Sequence, residues 1–203
     1  MCLLIVRTCP QDIWILDGVR GVASLSKPSD KLKNFTIGLE PMLGCVGVAP
    51  PNGKILAASY LGVFGGNMDS REVREGSTLY LPVFQPGALL YLGDAHAKQG
   101  DGEITGQGLE TSMDVEFTVD VMENKSLGQP WVEDNEYVMV MGIGGSLDDS
   151  LKLATTGMRT WLVDNCQLNS AEVAAVLGNA IQYEIAEVVD PEFNVVAKIR
   201  KAV

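Results

Sequence analysis

The one histidine of this 203-residue chain, His96, stands in its densest polar run, Gly93-Asp94-Ala95-His96-Ala97-Lys98-Gln99-Gly100-Asp101-Gly102-Glu103. Three carboxylates, an amide and an imidazole fall within it, and its glycines let the backbone turn tightly or approach a ligand closely. Asp94 and His96 are two apart, so in an extended segment both project from one face, as a chelating pair requires. Imidazole together with carboxylate suits zinc and other borderline divalent ions. A second polar run, Gly65-Gly66-Asn67-Met68-Asp69, can bring another carboxylate to the same place. A plain alternative stays open at this level. Stretches rich in Asp and Gly are ordinary turns, and a lone histidine offers one nitrogen where catalytic zinc usually has two or three.

Other residues carry weaker chemistry. Cys45 lies in an apolar, Gly-rich stretch with no basic neighbour to lower its pKa, which reads as a buried structural thiol. Gly142-Ile143-Gly144-Gly145-Ser146 before a helical pattern hints at a phosphate cradle. It fits neither Gly-x-Gly-x-x-Gly nor a Walker loop, and Asp148 and Asp149 beside it would repel phosphate. Trp131 and Trp161 read as core or rim aromatics. Cys2, Cys9, Cys45 and Cys166 form no Cys-x-x-Cys pair, which excludes a zinc ribbon or dithiol motif and suggests free thiols in a reducing compartment.

The polar run must be held by strands. Residues 54–61 form an apolar-rich run after a Pro-Pro-Asn-Gly turn. Residues 77–84 and 88–92, separated by Gln85-Pro86-Gly87, fit a hairpin, with Pro82 marking a sheet edge or bulge and the second strand short and buried. In residues 109–121, Met113, Val115, Phe117, Val119 and Val121 alternate with Asp114, Glu116, Thr118 and Asp120, which predicts a strand with one wet face. Residues 123–136 read as a loop. After them the pattern changes. An apolar strand over 137–143 leads into a helix capped by Ser146, with Asp148 and Asp149 in its first turn. A second helix opens at Asn169, where Glu172 three residues on makes a capping box. Strands over 183–189 and 195–199 follow. The expected organisation is thus a β-rich unit over 1–136 and a small α/β unit over 137–203.

Composition bounds the rest. Hydrophobic residues are 46% and charged ones 20%, enough to build a core. The net charge of −11 argues against a general nucleic-acid binder and against adsorption to anionic membranes. The apolar stretch at residues 2–6 is far shorter than the ~20 residues of a membrane span and lacks the flanks of a signal peptide, so a cytoplasmic protein is expected.

Several segments in order carry a resemblance: Pro41-Met42-Leu43-Gly44-Cys45-Val46-Gly47-Val48-Ala49-Pro50, Gly65-Gly66-Asn67-Met68-Asp69, Gly76-Ser77-Thr78-Leu79-Tyr80-Leu81-Pro82-Val83, Pro86-Gly87-Ala88-Leu89-Leu90, the run 93–103, and Val188-Val189-Asp190-Pro191. Over residues 40–200 they resemble the acetamidase/formamidase family. The resemblance implies a β-rich α+β fold, a β-sandwich with a jelly-roll-like core and a small C-terminal α/β insert. It implies a metal-dependent amidohydrolase that releases ammonia from formamide, acetamide or a similar short amide. A divalent ion, zinc foremost, would be held by Asp69, Asp94 and His96. Glu103 or Asp101 would be the catalytic base, and Asn67 and Gln99 would bind the substrate amide or stabilise the oxyanion. Homodimers or larger homo-oligomers are implied. Residues 1–40 match the family poorly, and members carry further histidine-containing N-terminal segments. A truncated non-catalytic homologue, or one chain of a multi-chain assembly, is therefore the second reading.

Overall fold

The unbroken apolar run over 137–143 is the pattern of a strand covered on both faces. In the computed structural model, which describes residues 13–123, 125 and 128–201, that run is a central strand. The elements in chain order are β1 (Trp14–Asp17), β2 (Val22–Leu25), β3 (Thr36–Gly38), β4 (Met42–Gly47), β5 (Leu61–Gly62), β6 (Gly65–Asn67), β7 (Thr78–Tyr80), β8 (Tyr91–His96), β9 (Trp131–Glu133), β10 (Tyr137–Gly144), α1 (Leu147–Cys166), α2 (Ser170–Ala180), β11 (Gln182–Glu187) and β12 (Phe193–Arg200). They form three sheets, ordered β1-β2-β3, β5-β6-β4-β8 and β11-β12-β10-β9-β7. No helix among the described residues is long and apolar enough to cross a membrane.

Alternation along β10 divides the core. Val138 and Val140 join Val195, Ala197 and Ile199 of β12 beneath Ala154, Met158 and Leu162 of α1 and Val173 of α2. Met139, Met141 and Ile143 point the other way, onto Leu61, Met68 and Val73 at the second sheet. One strand thus links the helical layer to the segments that carry the polar residues. Both helices start as the sequence predicts. Ser146 Oγ accepts the Asp149 N–H at 3.2 Å. The Asn169 side chain accepts from the Ala171 and Glu172 N–H groups, while the Glu172 carboxylate accepts the Asn169 N–H at 2.8 Å. Trp131 packs between Tyr80 and Trp161, tilted against the first and edge-to-face with the second.

The structure departs from several of these expectations. Residues 77–84 and 88–92 make no hairpin: β7 pairs with β9 and β8 with β4, in different sheets. Ala88 and Leu89 have φ of 55° and 57°, so the chain is still turning there, and β8 begins later with Tyr91 and Leu92 exposed. The run 54–61 is irregular apart from β5. The loop predicted over 123–136 contains β9, which pairs with β7 and β10 in the five-stranded sheet. In residues 109–121, Glu110 bridges to His96 and the Thr111 N–H donates to Ala95 O at 2.9 Å, but no strand pairing continues beyond. Phe117 and Val119 are left 54% and 66% exposed. Alternation specifies two faces; it does not supply a neighbouring edge. Cys2, Cys9 and the stretch 2–6 lie outside the described residues.

Candidate functional site

The polar residues converge where β4, β6 and β8 meet the end of β11. β4 and β8 pair with Leu43 opposite Ala95 and Cys45 opposite Gly93, which sets Gly44 against Asp94. A Cβ on Gly44 would overlap Asp69 Oδ1 and stand 2.6 Å from Asp94 Oδ2, so glycine leaves the room these two carboxylates occupy. Asp69, Asp94 and Glu103 have φ of 42°, 60° and 47°. This left-handed region is uncommon for residues with a Cβ, and holding three acids there is a strain the surrounding packing must sustain.

His96, 1% exposed, is the hub. Its Nε2 lies 3.3 Å from Asp94 Oδ1 and 3.1 Å from Glu110 Oε1. Its Nδ1 is 2.9 Å from Gln99 Oε1. Candidate ligand atoms of Asp69, His96 and Glu103 lie within 4.8 Å of one another, as do those of Asp94, His96 and Glu110 and those of Asp69, Glu187 and Asp190. Asn67 donates its amide protons to Asp69 and, at 2.9 Å, to Asp190 Oδ2. The Glu187 carboxylate accepts the Val189 and Asp190 N–H groups, while its second oxygen is buried with no hydrogen-bond partner among the described residues.

The predicted residues therefore separate. Asp69, Asp94, His96 and Glu103 come together, and Asn67 borders them. Asp101 does not join them: its carboxylate, 62% exposed, pairs with Arg71 at 2.9 Å, and Arg71 also donates to Glu184 at 2.8 Å. The 3-10 turn over 101–103 swings Asp101 outward as it brings Glu103 in. Gln99 is also unlike its expected role. It is buried, and its amide N–H groups go to Asp69 O at 2.6 Å and Ala186 O at 3.1 Å, which leaves none to bind a substrate. Glu110, Glu187 and Asp190 were missed. Asp190 stands in the Val188-Val189-Asp190-Pro191 string, a signal that was available; Glu110 and Glu187 had no local signal of their own.

Crowding of carboxylates shows in their proton affinities. Burial, and then repulsion from Glu103, Asp94 and Glu187, pushes Asp69 up to about 9. Burial, then a hydrogen bond and repulsion shared with Glu187, pushes Glu103 up to about 8. Burial works against a charged His96 ring, but Asp94, Glu110 and Gln99 outweigh it and raise His96 to about 9. The hydrogen bond from His96 lowers Asp94. Cys45, as expected, is buried and unreactive, its thiol pushed up to about 11 by burial and nearby carboxylates.

A divalent cation fits this donor set. Asp69 Oδ1 is buried with no hydrogen-bond partner among the described residues, and a cation would relieve the repulsion that now holds protons on the acids. One imidazole with several carboxylates suits a borderline to hard divalent ion. The signs give a pH prediction. Asp69 and Glu103 keep protons that the unfolded chain releases near pH 4, and the stabilisation from protonated His96 is lost as pH rises through about 9. In chelator, the melting temperature should fall between pH 5.5 and 8.5; with zinc it should fall less, because the ion replaces those protons. A melting temperature in chelator that is flat or rising across this window would contradict the cluster's protonation.

The family model of the acetamidase/formamidase family matches residues 63–190, which span the whole cluster. The crystal structure of an acetamidase from Yersinia enterocolitica superposes with a TM-score of 0.81 at 32% identity, over 84% of this chain and 51% of that one. An acetamidase from Bacillus halodurans gives a TM-score of 0.78 at 32% identity, over 83% of this chain and 57% of that one. The acetamidase of Mycolicibacterium smegmatis is 42% identical over 60 residues, 29% of this chain and 15% of that protein. The chain thus spans about half the length of these solved relatives. With the family's match covering most of the described chain, cluster included, the chain belongs to the acetamidase/formamidase family.

Proposed function

We propose that this chain carries the hydrolytic centre of a metal-dependent linear amide hydrolase, acting on a short aliphatic amide such as formamide or acetamide. The observation that carries the reading is that Asp69 and Glu103 on one side and Asp94 on the other meet at His96, with a buried, unpartnered Asp69 oxygen beside it, within the family's matched span. Asp69, Asp94 and His96 would hold the ion, zinc foremost. When bound, such an ion supplies a Lewis acid for the amide carbonyl and lowers the pKa of water.

The protein's own groups do the rest. Glu103, raised toward neutrality by burial and by Glu187, takes a proton from the attacking water and returns it to the departing nitrogen. Water adds to the carbonyl carbon, the carbon–nitrogen bond breaks, and ammonia and the carboxylic acid leave. Asn67 has spent its amide protons on Asp69 and Asp190, so only its carbonyl oxygen is free to accept an N–H from the substrate. That restricts its role to gripping the amide nitrogen. The core shared between the two larger sheets, around Met68 and Met141, supports the sandwich-like, jelly-roll frame that the family implies.

One observation favours the second reading, a site that works inside a larger assembly. Ile13, Ile15 and Val119 are each well exposed, and apolar side chains left in solvent are of the kind that partners cover. The test is ammonia release from formamide and acetamide by the purified, folded chain with zinc. Release that drops by at least ~100-fold in Glu103→Gln supports the hydrolase. A folded, zinc-bound chain that releases none would overturn self-contained catalysis and favour the assembly.

A further inference from the structure

Gln99 is 4% exposed and joins three elements through one amide. Its nitrogen donates to Asp69 O, after β6, at 2.6 Å, and to Ala186 O of β11 at 3.1 Å. Its oxygen stands 2.9 Å from Nδ1 of His96, at the end of β8. Backbone carbonyls carry no proton, so the amide nitrogen must face them, and a flipped amide would set oxygen against two oxygens. The amide oxygen carries no proton either. The hydrogen between Gln99 and His96 therefore sits on Nδ1. Gly108 closes that side of the ring, since a Cβ there would lie 2.5 Å from Nδ1. The other nitrogen, Nε2, faces Asp94 and Glu110.

We propose that Gln99 is a positioning residue that fixes His96 with its proton on Nδ1, so that Nε2 is the nitrogen offered to the cation. This deepens the metal-centre reading above and rests on it. An amide serves better here than a carboxylate, because the two carbonyls demand a donor while the ring demands an acceptor. An outer hydrogen bond of this kind orients the ring and raises its basicity as a ligand.

The chain has one histidine, so nitrogen-labelled histidine gives the NMR spectrum of a single imidazole. With zinc added to the wild type, the expected spectrum has the proton on Nδ1 and the metal on Nε2. A spectrum with the proton on Nε2 and the metal on Nδ1 overturns the proposal. Gln99→Met removes the acceptor at similar length and should weaken zinc binding by roughly 10–100-fold by calorimetry, with mixed ring protonation. Gln99→Glu retains an acceptor and should keep the proton on Nδ1. If both variants shift zinc affinity and melting temperature alike with the ring unchanged, the role is structural and the proposal fails. If zinc leaves the wild-type ring unmoved, the metal reading is what fails. The neutral ring, read in chelator above its pKa, then decides the tautomer alone: a proton on Nδ1 upholds the positioning role of Gln99, and one on Nε2 refutes it.

Discussion

Gly142→Ala should destabilise the chain by about 3 kcal/mol or more. Gly142 lies in β10 opposite Val195 of β12, directly beneath α1. A Cβ there would overlap Ser150 O and Ala154 N and stand 2.7 Å from Ala154 Cβ. Those backbone atoms belong to one turn of α1, where no side-chain rotation can make room. The helix must lift from the sheet, and with it the contacts of Ala154, Met158 and Leu162. Gly157 repeats the device further along, with a Cβ position 2.6 Å from Val140 Cγ1. For a domain of this length the melting temperature should fall by on the order of 10 °C. Gly178→Ala, in α2 with open space around its Cβ position, is the matched control and should stabilise by up to about 1 kcal/mol. A Gly142→Ala chain that melts with the wild type would mean that α1 does not sit on β10 as described.

What the sequence made legible follows from where its signals act. The stretch β10-α1-α2-β11-β12 is written in local terms: an apolar run, Ser146 as a cap, and Asn169 with Glu172 closing a capping box. The Gly142–Ser146 stretch fits no phosphate-loop pattern, and Gly142 serves helix–sheet packing instead. The first half of the chain depends on partners far apart in sequence. β7 finds β9 and β8 finds β4, and no pattern within 77–92 names either. The alternation of 109–121 was real as a pattern and unsatisfied as a strand. At the site, Asp94 and His96 were legible because two-residue spacing has a geometric meaning on β8, and Asp69 because its Gly-Asn run resembled the family. Asp101 looked equivalent to Glu103 until the turn between them sent one outward and the other inward. Glu110 and Glu187 enter the cluster only through chain folding, from segments with no polar motif of their own.

Gly44→Ala should remove the site and spare the fold. Gly44 sits in β4 among residues that favour a strand, so alanine suits its backbone. The new methyl would overlap Asp69 Oδ1 and lie 2.6 Å from Asp94 Oδ2, and ordinary contact demands that both carboxylates retreat. Neither can retreat easily. Asp69 is held by Asn67 and wholly buried, and Asp94 is bound to His96, so the shift travels to three of the candidate ligands at once. Metal–ligand distances hold to within about ±0.2 Å, so ligands pushed apart bind the ion less well. Zinc binding by calorimetry should weaken by about 100-fold or more, and ammonia release should fall with it. The thermal unfolding of the chelated chain should change by a few degrees at most, because the displaced groups are site side chains and the apolar core around Met68 and Met141 is untouched. Gly93→Ala, on the paired strand with open space at its Cβ position, should bind zinc as the wild type does. The contrast isolates the carboxylate pair from the sheet that carries it. If Gly44→Ala binds zinc unchanged, the cation sits elsewhere, and neither Asp69 nor Asp94 holds it.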